Sequence, residues 1–112
     1  PLTLDIWVDF EAKSIIYLEE EIIECNVRKT AETIVISLKT SKPSKRTFML
    51  KINKAFKPRE VRLNDLILAK VENFDHLENG VGWWFDENNS VLYIRLKEPL
   101  RERREVALQA KR

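Results

Sequence analysis

The stretch Gly82–Leu96, GWWFDENNSVLYIRL, decides the fold. Asn88-Asn89 supplies turn chemistry between two runs in which apolar and polar side chains alternate. With the turn placed there, Glu87 pairs with Ser90 and Asp86 with Val91. The same register sets Phe85 against Leu92, Trp84 against Tyr93 and Trp83 against Ile94. Trp83, Phe85, Leu92, Ile94 and Leu96 then share the core face. Trp84 and Tyr93 fall together on the other face beside Arg95. Strand side chains repeat every two residues, so a slip by one would exchange the faces.

The same alternation extends outward from this hairpin. In LTLDIWVDF, Leu2, Leu4, Ile6, Val8 and Phe10 share a face, opposite Thr3, Asp5, Trp7 and Asp9. ETIVISLKT groups Ile34, Ile36 and Leu38, and RTFMLKIN groups Phe48, Leu50 and Ile52. Shorter strand candidates are Ser14–Leu18, Ile22–Arg28, Val61–Leu63, Leu66–Glu72 and Glu105–Ala110. Lys42-Pro43-Ser44-Lys45, Lys57-Pro58, Asn79-Gly80 and Glu98-Pro99 punctuate these runs, and one helical turn fits near Asp75–Asn79. The pattern predicts an all-β, antiparallel β-sandwich of about eight to nine short strands, a single domain over residues 1–112.

Composition agrees and narrows the function classes. Of 112 residues, 44% are hydrophobic and 34% charged, enough apolar content for one core. Twenty Lys and Arg against eighteen Asp and Glu leave +2, too even a balance for a nucleic-acid or anionic-membrane partner. Lys42–Arg46 and Arg101–Arg104 are local basic clusters without the interleaved aromatics of a stacking platform. No apolar run is long enough to span a bilayer, and the N-terminus has no leader pattern, which points to the cytoplasm rather than secretion. The Asn88-Asn89-Ser90 sequon is idle in that setting. The opening at Pro1, already inside a strand pattern, favours the expectation of a cut-out domain over a free-standing accessory module.

Catalytic chemistry finds little footing. One His, His76, and one Cys, Cys25, cannot fill a zinc site, and no Ser sits in a nucleophile elbow. Cys25 alternates with Ile23 and Val27 and reads as a small core hydrophobe. The acidic residues Glu19, Glu20, Glu21 and Glu24, and the pair Asp86-Glu87, read as solvated charge rather than as a glycosidic acid pair. Gly80-Val81-Gly82 leads into a strand and so cannot cradle a phosphate as a strand-to-helix loop does. No catalytic residue, cofactor or metal is expected. Trp84, Tyr93, Arg95 and Trp7 are the candidate binding residues, because exposed aromatics anchor interfaces or stack on sugars.

Gly82–Leu96 resembles the last hairpin of the C-terminal distal β-sandwich domain of glycoside hydrolase family 31, the α-glucosidase and α-xylosidase family. That hairpin carries a Gly-Trp-aromatic-aromatic-Asp run, a polar turn and a Leu-aromatic-Ile strand. KRTFMLKIN (Lys45–Asn53) and KPREVRLND (Lys57–Asp65) resemble the paired segments upstream of it, so the likeness runs from about Lys39 to Leu96. The family's acidic Tyr-Glu-Asp-Asp-Gly turn is absent, with Asp9–Lys13 in its place. The family's catalytic aspartates lie on a (β/α)₈ barrel of about 250 residues, which this chain cannot contain. The resemblance thus implies a non-catalytic accessory domain of an α-glucosidase-like hydrolase. Its partner would be the remainder of the parent enzyme or a second copy of the chain. A carbohydrate-binding module gripping an oligosaccharide is the alternative.

Overall fold

In the computed structural model, residues 2–7, 11–17, 21–78 and 80–112 are described; on β1 and β2, side-chain exposure is described at Thr3, Asp5, Ile15 and Tyr17. The strands are β1 (Leu2–Trp7), β2 (Glu11–Tyr17), β3 (Ile22–Lys29), β4 (Thr33–Thr40), β5 (Phe48–Asn53), β6 (Glu60–Leu63), β7 (Leu66–Ile67), β8 (Gly82–Asp86), β9 (Val91–Leu96) and β10 (Glu105–Lys111). They form two sheets, in the orders β1-β5-β9-β8 and β2-β3-β4-β10-β6-β7. All pairings are antiparallel except β1 with β5, which run parallel. The all-β sandwich read from alternation is what forms.

The core lies between the sheets and is built by period-2 patterning from both. Ile23, Cys25 and Val27 on β3, Ile34, Ile36 and Leu38 on β4, and Val106, Leu108 and Ala110 on β10 point inward from the larger sheet. Phe48, Leu50 and Ile52 on β5, with Leu92, Ile94 and Leu96 on β9, answer from the smaller one. Burial of each such side chain is worth about 1.5–3 kcal/mol before entropy opposes it.

Four expectations are corrected. The run Leu66–Glu72 is a strand only at Leu66–Ile67, because Leu68 turns into the core and the chain leaves β6 for the edge of β8. Phe85 is half-buried rather than enclosed, since β8 is the last strand of its sheet and the segment along its free edge bonds at Trp83, two residues before Phe85. Glu21 is buried and ion-paired with Arg46, so it is not part of a solvated acidic run. Residues 87–90 form the hairpin loop, wider than Asn88-Asn89, and Ser90 takes a positive φ of 54° at its end. Val8–Phe10 and Leu18–Glu20 lie outside the described residues, as does Asn79.

Candidate functional site: the aromatic cluster outside the smaller sheet

The hairpin β8–β9 adopts the register read from the sequence, with Trp83 opposite Ile94, Trp84 opposite Tyr93, and Phe85 opposite Leu92. Trp83 therefore enters the core at 3% exposure, while Trp84 and Tyr93 emerge together on the outer face, each half-buried. Asp86 fixes the turn: its Oδ1 accepts the amides of Asn88 and Asn89 at 3.1 and 3.4 Å, and its Oδ2 accepts the Asn89 side-chain amide at 2.8 Å. Glu87 pairs with Lys57, whose ammonium holds the Glu87 carboxyl below its ordinary range through a hydrogen bond.

The segment after β7 covers part of this outer face. It first runs beside β8, where the Val71 amide donates to the Trp83 carbonyl at 2.9 Å and the Trp83 amide to the Ala69 carbonyl at 3.0 Å. A 3₁₀ turn at Phe74–Leu77 then packs on β8 and β9. Asn73 caps the turn by accepting the His76 amide at 3.2 Å. Leu77 is fully buried, and Met49 and Val91 are buried with it, yet none belongs to the core between the sheets. Phe74 presents its ring to both Tyr93 (centroids 4.9 Å, 67°) and Trp84 (6.2 Å, 62°). Trp84 and Tyr93 stack on each other at 5.9 Å and 26°. Edge-on and offset geometries of this kind suit the ring quadrupoles.

Of the four sequence-derived candidates, the structure brings Trp84 and Tyr93 together, with Arg95 half-buried next along β9 on the same face. Trp7 sits on β1, at the opposite edge of the sheet from β8, where its backbone pairs with Asn53; its side chain lies outside the described residues. Phe74 is the residue that sequence reading missed. Its signal was one of only two apolar residues, Phe74 and Leu77, in the polar stretch Glu72–Glu78, too few to set a period.

Other chemistry-bearing groups are engaged elsewhere. Burial pushes the Cys25 thiol up to about 11, which leaves it protonated and inert at neutral pH. His76 is exposed on the 3₁₀ turn. Glu60 binds Arg62, and that hydrogen bond holds its carboxyl low. An open depression of about 360 Å³ lies between the β6–β7 turn and the β9–β10 loop, floored by Leu63, Pro99 and Val106. Glu98 and Arg101 on its rim pair with each other at 3.0 Å. Among the described residues, no group of three or more His, Cys, Asp or Glu could hold a metal ion.

Fold comparison matches this sandwich to parts of larger solved proteins. It superposes on part of a GH31 dextranase from Flavobacterium johnsoniae with a TM-score of 0.79 and 18% identity, covering 98% of this chain and 16% of that one. A cycloalternan-forming enzyme from Listeria monocytogenes, solved with a pentasaccharide substrate, matches at a TM-score of 0.77 and 13% identity, over 91% of this chain and 10% of that one. An α-1,4-glucan lyase from Gracilariopsis lemaneiformis matches at 0.78 and 12%, over 97% and 13%. No family model matches the sequence, and no curated protein sequence matches it. At these identities the likeness is one of fold, and the chain spans a sixth or less of each matched protein.

Proposed function

We propose that this chain is a non-catalytic accessory domain of an α-glucosidase-like family 31 glycoside hydrolase, the C-terminal distal β-sandwich, which packs against the catalytic part of its parent. The observation that carries this reading is the match of nearly the whole chain, 98%, to a 16% portion of a GH31 dextranase. The likeness of Gly82–Leu96, Lys45–Asn53 and Lys57–Asp65 to that family's distal domain is a second, independent support. In this role the domain performs no bond cleavage. It offers a rigid two-sheet body whose outer surface stabilises its neighbours.

The test is to identify the full open reading frame and to express it with and without this domain. A fused barrel, together with lower thermal stability of the shortened enzyme, is the expected result. The isolated chain should hydrolyse neither an aryl α-glucoside nor an aryl α-xyloside. Turnover that follows the purified 112-residue protein through a second column would overturn the proposal.

A second reading is favoured by one specific feature, the partly buried stack of Trp84 on Tyr93 on the outer sheet face. Paired rings on a sheet face offer a platform for the apolar face of a sugar. Titration of tryptophan fluorescence with maltose separates the two, because only a sugar-binding module gives a saturable change that Trp84→Ala abolishes.

A further inference from the structure

Among the described residues, a group of exposed apolar side chains lies on the six-stranded sheet, which holds neither Trp83 nor Trp84. Tyr17 is 75% exposed, Ile15 47% and Ile22 45%. Tyr17 on β2 pairs directly with Ile22 on β3, and Ile15 lies two residues back on the same face of β2. The three therefore form one patch at the end of the β2–β3 hairpin. It faces outward, because β3 alternates and Ile23, Cys25 and Val27 take the inward side, leaving Ile22 on the other. β2 is also the terminal strand of the six-stranded sheet. An edge strand carrying exposed apolar side chains is a surface that native proteins normally cover. Leu66 and Ile67 are exposed too, but as neighbours on one strand they point to opposite faces and cannot make one patch. Phe74, Trp84 and Tyr93 are already packed on one another.

We infer that the Ile15–Tyr17–Ile22 corner is the surface by which this domain docks onto a neighbouring domain of its own polypeptide. The inference rests on the accessory-domain reading and adds the location of the contact. Size selects the occupant. Three side chains offer roughly 300 Å² on this side, whereas a stable complex between free chains buries about 800 Å² per partner. A covalently tethered partner meets the patch at an effective concentration near the millimolar range, so a small contact suffices. The partner surface is apolar, with room for a phenol ring whose hydroxyl stays at the rim.

The experiment compares this chain alone with the full polypeptide encoded by its gene. Hydrogen exchange across Ser14–Tyr17 and Ile22–Asn26 should slow by about tenfold or more in the full polypeptide. Tyr17→Lys should leave the melting of the isolated chain unchanged, lower that of the full polypeptide, and return exchange at the corner to the isolated rate. Sedimentation of the isolated chain should show a monomer. A dimer dissolved by Tyr17→Lys would overturn the inference in favour of a second copy. A fused enzyme in which exchange at this corner is the same in both contexts would sink the inference and leave the accessory-domain reading standing. A gene encoding no further domain would sink both.

Discussion

The indole of Trp84 and the phenol of Tyr93 stack with centroids 5.9 Å apart and planes 26° from parallel, on the solvent side of a sheet whose other side holds Trp83 in the core. Adjacent residues of one strand thus serve opposite surfaces, and Phe74 from a distant turn caps the outer pair. Phe74→Ala should uncover both rings. We expect a loss of about 1–2 kcal/mol and faster acrylamide quenching of tryptophan emission, since Trp84 is the indole that becomes accessible. Unchanged quenching would mean that the turn does not shield it.

Trp83→Ala should cost about 3–5 kcal/mol, as for a core aromatic whose cavity cannot collapse. Trp84→Ala should cost clearly less, because Trp84 lies on the outer face and is only partly buried. Denaturant melts of the two variants compared with the wild type measure the difference. Equal losses would place both indoles in equivalent environments, contrary to the register.

Gly82 begins β8 where the preceding connection passes closest. A Cβ there would stand 2.6 Å from the Ala69 carbonyl oxygen, the atom that accepts the Trp83 amide. Backbone would have to yield. Gly82→Ala should therefore destabilise by about 1–3 kcal/mol, whereas Gly80→Ala, whose Cβ would meet its nearest neighbour at an ordinary 3.5 Å, should be far milder. The two thermal midpoints decide it.

Burial raises the Cys25 thiol from 9.0 to about 11. Below pH 9 both folded and unfolded chains keep that proton. Between 9 and about 11 the unfolded chain ionises first, so stability falls as pH rises through this window. The full decline is roughly 2–3 kcal/mol. Cys25→Ala should flatten the alkaline limb of a stability-against-pH curve, and wild-type protein at pH 8 should react with a thiol reagent only as fast as it opens.

Much of this was legible because a strand has only two faces. Ile34, Ile36 and Leu38 announce their side by alternation, and one hairpin turn then fixes every pair from Asp86–Val91 to Trp83–Ile94. Alternation names a side but not what covers it. For that reason it could not separate Trp84, roofed by Phe74, from Tyr17, left largely bare. The roof comes from an irregular connection whose position depends on two backbone hydrogen bonds with Trp83 of β8, one donated and one accepted, and on one cap at Asn73, none of which carries a period. Glu21 was misread for a related reason. Its partner Arg46 lies 25 positions away, beyond the whole β3–β4 hairpin and the loop that follows it, a contact no local pattern encodes.

β10 is the last of the ten strands in the chain, yet it lies inside the six-stranded sheet, bonded to β4 on one side and β6 on the other. During synthesis, β2–β4 and β6–β7 emerge as separate pieces, each with an open edge, and nothing joins them until Glu105–Lys111 leaves the ribosome. Assembly therefore waits for the final strand, and the half-made domain passes through a stage rich in unpaired backbone. A domain cut before Glu105 would lose the seam between two half-sheets rather than a frayed end, and the cell would meet it as a substrate for chaperones and proteases.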